Sequence, residues 1–203
     1  MTAVAPASGA VNESLLDATI VLRDGALVRI RAAAKADAHR LKAFHDRLSP
    51  VSRYMRFQRA IREVSLAQCE RMSRADGIAE IGLIACVLEP EGARVIADAR
   101  YVLVPGTREA ELAIAVADDW QRRGLGDRLL VQLFRQARNR GVDLLFGEAL
   151  NDNVAVRKLA QRQGARLHMT RWGTTRVSIE LRPLTQEPPP VVEPREYRFA
   201  AAR

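Results

Sequence analysis

Cysteine, aromatic residues, lysine and long apolar runs are all scarce in this chain of 203 residues. Two cysteines, Cys69 and Cys86, stand far apart and in no ligand pattern, which excludes a disulfide scaffold. They read as buried free thiols in a reducing cytosol, although spacing alone leaves a bridge open. Aromatics make up 5% of the chain, too few for the stacking platforms that single-stranded nucleic acids use. No stretch reaches the ~20 consecutive apolar residues of a spanning helix. The opening MTAVAPASGAVNESLL has no basic segment followed by a long apolar one, so no secretory signal is read. The expected setting is cytoplasmic, away from membranes. Three histidines give no metal spacing: His39 and His45 lie six apart on one helix, and His168 falls in a late strand. No metal is expected.

Charge is plentiful but of one kind. Of the 32 basic side chains only Lys35, Lys42 and Lys158 are lysine, and the net charge is +8. The arginines are spread along the chain among 24 acidic residues. Nucleic-acid binders cluster theirs, so no nucleic-acid partner is expected, whereas a small phosphorylated ligand suits the charge.

Hydrophobic residues make up 48% and charged residues 28%, the balance of an ordinary globular domain. Residues 1–18 read as a loose arm, 19–182 as the domain and 183–203 as an extended, Pro-rich tail. Asp24-Gly25 between two β-rich runs predicts a hairpin with a two-residue turn. Ala38, Leu41, Phe44, His45 and Leu48 recur at helical spacing, and Ser49-Pro50 ends that helix. A short segment, SRYMRF, precedes a second helix capped by Ser65. Residues 80–89, 94–104 and the alternating REAELAIAVAD predict three antiparallel strands. From Gly124 to Arg140, Leu125, Leu129, Leu130, Leu133, Phe134 and Ala137 share one helical face, and Gly141 closes the helix. The apolar run VDLLFGEAL reads as a strand buried on both faces. A helix over 153–163 and strands near 166–171 and 175–182 complete the domain. Trp120 and Trp172 read as packing residues.

The segment AIAVADDWQRRGLGDRLL carries the chemistry. A strand ends near Ala117, and a helix begins within Gln121-Arg122-Arg123-Gly124-Leu125-Gly126. Glycine lets a ligand approach the backbone. The first-turn amides of a helix lack intrahelical partners and point outward with the positive end of its dipole, which makes a pyrophosphate cradle. Arg122 and Arg123 add charge at the rim. No Gly-Lys-Ser/Thr follows, so this is not a Walker A loop, and G-x-G-x-x-G is incomplete. Taken alone, the motif is equally a tight strand-to-helix turn that needs glycine.

With its order of elements, this junction resembles the GNAT superfamily of acyl-CoA N-acetyltransferases over about residues 27–182. A second motif agrees: the strand VDLLFGEAL, then Asn151-Asp152-Asn153-Val154-Ala155, a helix, and Gly164-Ala165. The resemblance implies an α/β fold, a mixed and mostly antiparallel central sheet with helices on both faces. It implies acetyl-CoA as acyl-donor substrate. The implied donor contacts are Ile114, Val116, Gln121, Arg122, Arg123, Gly124, Leu125, Gly126, Asp127 and Asn153. Asn153, also a plain N-cap, stands beside the pantetheine arm in the family, and that arm enters a gap between splayed strands.

The reaction implied is acetyl transfer to an amine, which must be neutral to attack although free lysine has a pKa of about 10.4. A base is therefore needed. Glu111 occupies the place of a glutamate in protein lysine acetyltransferases of the superfamily; half-burial there raises a carboxylate's pKa. Its alternative role is an exposed strand-end glutamate paired with an arginine such as Arg108 or Arg100, and Glu109 and Glu148 compete for the catalytic one. Many members carry a tyrosine, poised to protonate the leaving sulfur, where this chain has Ala160. Tyr101 and Tyr54 are the substitutes to examine.

Leu48-Ser49-Pro50-Val51-Ser52-Arg53-Tyr54-Met55-Arg56-Phe57 resembles the L-S-P-x-S-x-Y-x-R-F stretch of Pat-type protein lysine acetyltransferases. It implies a protein lysine as acceptor. A small amine, or a catalytically silent acyl-CoA-binding module, are the alternatives. Helical spacing places Tyr54 and Phe57 toward the core, with Arg53 and Arg56 toward solvent.

Overall fold

The computed structural model describes residues 17–74, 77, 79–170 and 173–181. Most of the expected arm, all of the tail, and Trp172 lie outside them. The elements are β1 (Ala18–Val21), β2 (Leu27–Ala32), α1 (Ala38–Arg47), α2 (Pro50–Phe57), α3 (Leu66–Met72), β3 (Glu80–Glu89), β4 (Gly92–Leu103), β5 (Glu109–Val116), α4 (Leu125–Asn139), β6 (Leu144–Leu150), α5 (Val154–Arg162), β7 (Arg166–Met169) and β8 (Thr174–Glu180). The strands form one sheet in the order β1-β2-β3-β4-β5-β6-β8-β7. Every pairing is antiparallel except β5 with β6.

Alternation along the central strands sorts side chains onto two faces. Ala97, Ala99 and Tyr101 of β4 share rungs with Val116, Ile114 and Leu112 of β5. This face receives α4, whose Leu125, Leu129, Leu130, Leu133, Phe134 and Ala137 are all buried as their spacing predicts. Asp98, Arg100 and Val102 share rungs with Ala115, Ala113 and Glu111, and form the other face. There α1 buries Ala38, Leu41, Phe44 and His45. Helices therefore cover both faces of a mixed, mostly antiparallel sheet.

Three local expectations change. The hairpin connection spans residues 22–26, because Leu22 N–H bonds Ala26 C=O and Gly25 takes a positive φ of 84° inside that loop. Residues 50–57 are a full helix: Pro50 fits the first turn, and Ser49 Oγ accepts from Ser52 N–H. Strand β6 buries Leu145, Gly147 and Ala149 but not the alternate Leu144, Phe146 and Glu148. Its α1 side has no helix to bury those side chains; the Arg176 guanidinium covers Phe146 at 4.2 Å instead.

Cys69 and Cys86 are free and buried. Burial pushes the Cys69 thiol up to about 11 and raises Cys86 as well. At the surface, Lys42 Nζ sits 2.8 Å from Asp46 and 3.4 Å from Glu63. The Asp46 hydrogen bond, above all, raises its pKa.

His45 is fully buried beside Phe44 and Phe57, and neither ring nitrogen has a hydrogen-bond partner among the described residues. Burial pushes its pKa from 6.5 down to about 4, against the pull of Asp98. Between those values the unfolded chain binds a proton that the folded one refuses. Stability is therefore full above pH 6.5 and falls as the pH drops toward 4. Over that window roughly 3 kcal/mol is expected to be lost. Urea unfolding of wild type and His45→Leu across the window checks this, since the variant should show a much flatter slope.

Candidate active site

Strand β5 is paired on both sides only at its start. Its ladder with β6 joins Glu109–Glu111 to Leu144–Phe146 and stops, while β5 continues to Val116 and β6 to Leu150. Gly147 stands where the strands begin to part, since a Cβ there would meet Leu112 O at 2.8 Å. On the β4 side, Ala117 N–H bonds Ile96 C=O and Val104 N–H bonds Glu109 C=O. Antiparallel alternation then directs the backbone groups of Leu112, Ile114 and Val116 into the gap. Two glutamines supply donors there. Gln121 Nε2 donates to Val116 O at 3.1 Å, and Gln58 Nε2 donates to Glu148 O at 2.7 Å.

Beyond the gap, a 3₁₀ turn (Asp118–Trp120) leads to the start of α4. Gly124 is its N-cap at φ 87°, and no side chain caps the helix. The amides of Leu125, Gly126 and Asp127 thus face an open start, and the space around a Cβ built on Gly124 is empty to 4 Å. Gly126 has a different reason to be glycine: a Cβ would come within 3.1 Å of Leu159 on α5.

The rim residues divide. Arg122 is exposed at φ 63°, with no ion pair among the described residues. Arg123 lies over the Trp120 ring at 4.5 Å and 3.3 Å from Asp24. The Asp127 carboxylate is taken by Arg162 and Gln163, each at 2.9 Å, so only its backbone amide is left for a ligand. Burial pushes the Asp127 pKa up, but these hydrogen bonds outweigh it and hold it low. Asn153 caps α5, its Oδ1 accepting from Val156 N–H at 3.1 Å.

Glu111 lies at the last rung before the gap, on the α1 face, where its rung partner is Val102. The half-burial expected of it is not found: it is exposed. Among the described residues it makes no ion pair with an arginine. Arg108 is bound by Asp143 at 2.6 Å, and Arg100 by Asp98 at 2.6 Å and Glu80 at 3.0 Å. The competitor Glu148 is exposed two residues beyond Phe146, and Glu109 is exposed at the strand's start. Ala160 is buried in α5. Tyr101 lies under α4 on the opposite face, whereas Tyr54 is exposed on α2.

Helix α2 keeps only part of the helical-spacing expectation: Phe57 packs against the core beside His45, but Tyr54 and the arginines do not follow it. Tyr54 is 43% exposed, and the Arg56 side chain only 11%. Arg53 is also committed inward, donating to the carbonyls of Asp46, Leu48 and Arg62. The cause is Asp98, fully buried mid-strand and in need of counter-charge: Arg56 approaches it to 3.8 Å. Burial lowers the Arg56 pKa, Asp98 opposes that, and Glu111 adds a smaller favourable field. Sequence reading missed this cluster and Asp118. The available signal was a charged residue inside the apolar strand RVIADAR.

A parted strand edge, an uncapped helix start and an exposed carboxylate lie together and form the candidate site. It suits a phosphate-bearing donor and an acceptor that must lose a proton. The model of the Acetyltransferase (GNAT) family matches residues 54–165. An acetyltransferase of Pseudomonas aeruginosa is 32% identical over 138 residues, covering 68% of this chain and 74% of that protein. Acetyltransferase Pat of Mycolicibacterium smegmatis is 29% identical over 170 residues, and the chain spans about half its length, 50%. The solved GNAT domain of S. lividans PAT superposes with a TM-score of 0.75 at 29% identity, covering 81% of this chain and 97% of that one. The chain belongs to the GNAT acetyltransferase family and is an acetyl-CoA-dependent acyltransferase. Among the described residues no helix is long and apolar enough to cross a membrane.

Proposed function

We propose that the protein moves the acetyl group of acetyl-CoA directly to a protein lysine, with Glu111 as the base. The observation that carries this is the gap: the free edge of β5 runs from Glu111 past Ile114 and Val116 to the open start of α4. Gln121 to Asp127 take the pyrophosphate through backbone amides, with Arg122 and Arg123 at the rim. Ile114 and Val116 hold the pantetheine arm by their main chain, and Asn153 flanks it. The amine nitrogen attacks the thioester carbon, and its proton passes to Glu111 directly or through water. A β5 amide stabilises the developing oxyanion. The C–S bond then breaks, and with Ala160 in place of a tyrosine the thiolate leaves and is protonated by solvent.

The donor half has its own test. Asparagine tolerates positive φ, so Gly124→Asn keeps the backbone while placing a side chain in the open space. In wild type, acetyl-CoA at about a hundred times its Kd stabilises the fold by about 2.7 kcal/mol. That rise in Tm is expected to vanish in the variant while the unliganded Tm changes little. An undiminished rise sinks the cradle assignment.

The protein acceptor is supported by the L-S-P-x-S-x-Y-x-R-F stretch, which forms α2, and by the charge beside it. Arg53 and Arg56 turn inward, but Arg59, Arg62 and Arg71 are exposed. Such a surface repels polyamines and favours a lysine flanked by acidic groups. Radiolabelled acetyl-CoA is therefore expected to label folded protein in lysate, less so as salt rises, with little turnover of spermidine. Efficient spermidine turnover without protein labelling overturns the acceptor assignment.

A further inference from the structure

Helix α2 is fastened at both ends to opposite banks of the gap. At its start, Asp118 accepts from Ser49 N–H at 2.9 Å, from Ser49 Oγ at 2.8 Å and from Ser52 Oγ at 2.6 Å. Gln121, in the loop that opens the donor cradle, shares its Nε2 between Ser52 Oγ at 3.2 Å and Val116 O at 3.1 Å. At the other end, the C-cap Gln58 adopts a left-handed φ of 53° and reaches the Glu148 carbonyl on β6. The helix is thus a strut across the parted strands. One foot rests on the β5–α4 loop and the other on β6.

We propose that Asp118 is a positioning residue that locks α2 to the donor loop, so that donor binding and α2 docking stabilise each other. The inference rests on the donor site assigned above and adds a coupling that the assignment does not require. Three observations favour it. The Asp118 carboxylate is the hub for three donors, all from the α2 start. Burial pushes its pKa up, yet the bonds from Ser52 and Ser49 outweigh that and hold it in the charged form. Charge-assisted bonds of this kind are the strong ones. Gln121 belongs to both partners, touching α2 with the same nitrogen that serves the β5 edge, so a ligand on that edge acts on the α2 anchor.

Coupling between two sites is reciprocal, and this supplies the test. In wild type, saturating acetyl-CoA is expected to slow amide exchange both at residues 125–128 and at residues 53–58, the latter on the order of tenfold. In Asp118→Ala the slowing at 53–58 is lost while that at 125–128 persists. The Kd of acetyl-CoA, measured by calorimetry, weakens by the same factor that was lost at α2. A role in stability alone would lower Tm and leave the ratio of bound to free exchange at 53–58 untouched. Ser52→Ala is the milder variant: it removes one Asp118 bond and the Gln121 acceptor but keeps the Ser49 cap. It should lose part of the ratio, and it decides the matter if Asp118→Ala does not fold. Slowing confined to 125–128 in wild type overturns the coupling and leaves the donor site standing. No slowing at either segment overturns both.

Discussion

Glu111→Gln is expected to reduce kcat by roughly 10²–10⁴-fold at neutral pH, with acetyl-CoA affinity nearly intact. The substitution keeps volume and removes only the ability to take a proton. The structure makes this change interpretable. The Glu111 side chain is exposed and has no hydrogen bond or ion pair among the described residues, so no network collapses with it. Arg108 and Arg100, its possible tethers, are held by Asp143 and by Asp98 with Glu80. The defect should shrink as pH rises, because a larger share of the amine is then already neutral. Glu148→Gln serves as the comparison and should retain most activity. Wild-type turnover in Glu111→Gln, or a larger loss in Glu148→Gln, would move the base to β6 or to solvent.

Asp98→Asn should cost about 3–5 kcal/mol, the range found when one partner of a buried ion pair is removed. Asp98 is fully buried, bidentate to Arg100 at 2.6 and 3.3 Å, and 3.8 Å from Arg56. Burial pushes its pKa up, but Arg100 and Arg56 outweigh that and hold it below the ordinary 3.8. Without the carboxylate, Arg100 keeps Glu80 and the Met72 carbonyl, but Arg56 is left inside with only the smaller field of Glu111. The Arg56 Nε already has no hydrogen-bond partner. Denaturant unfolding measures the loss. Adding Arg56→Met should recover part of it, since an apolar side chain of similar length needs no partner. A single variant as stable as wild type would show that the cluster is solvated.

Much of the architecture was legible because it follows from period and punctuation. The apolar stripe from Leu125 to Ala137, the alternation from Glu111 to Val116 and the stops at Gly141 and Gly164 each depend on neighbours within a few residues. The uncapped start of α4 was legible for the same reason: glycine and an open helix start are local properties. What failed was long-range. Helical spacing in α2 allowed two orientations, and Asp98, more than forty residues downstream of Arg56, selected the one that buries an arginine. The reading of β6 failed likewise, since an apolar strand looks doubly buried whether or not a helix covers its second face. The Asp118 anchor joins residues 66 and 69 positions apart and left no local trace.

The scarcity of lysine acquires a meaning once the chemistry is in place. An enzyme that acylates amines carries potential targets of its own in its lysines. Arginine offers the same positive charge but stays protonated, and its guanidinium is no nucleophile at neutral pH. With only Lys35, Lys42 and Lys158 in the chain, self-inflicted modification has three targets. Lys42 is shielded, because Asp46 and Glu63 hold its ammonium charged. A surface written in arginine keeps its electrostatic field through every turnover.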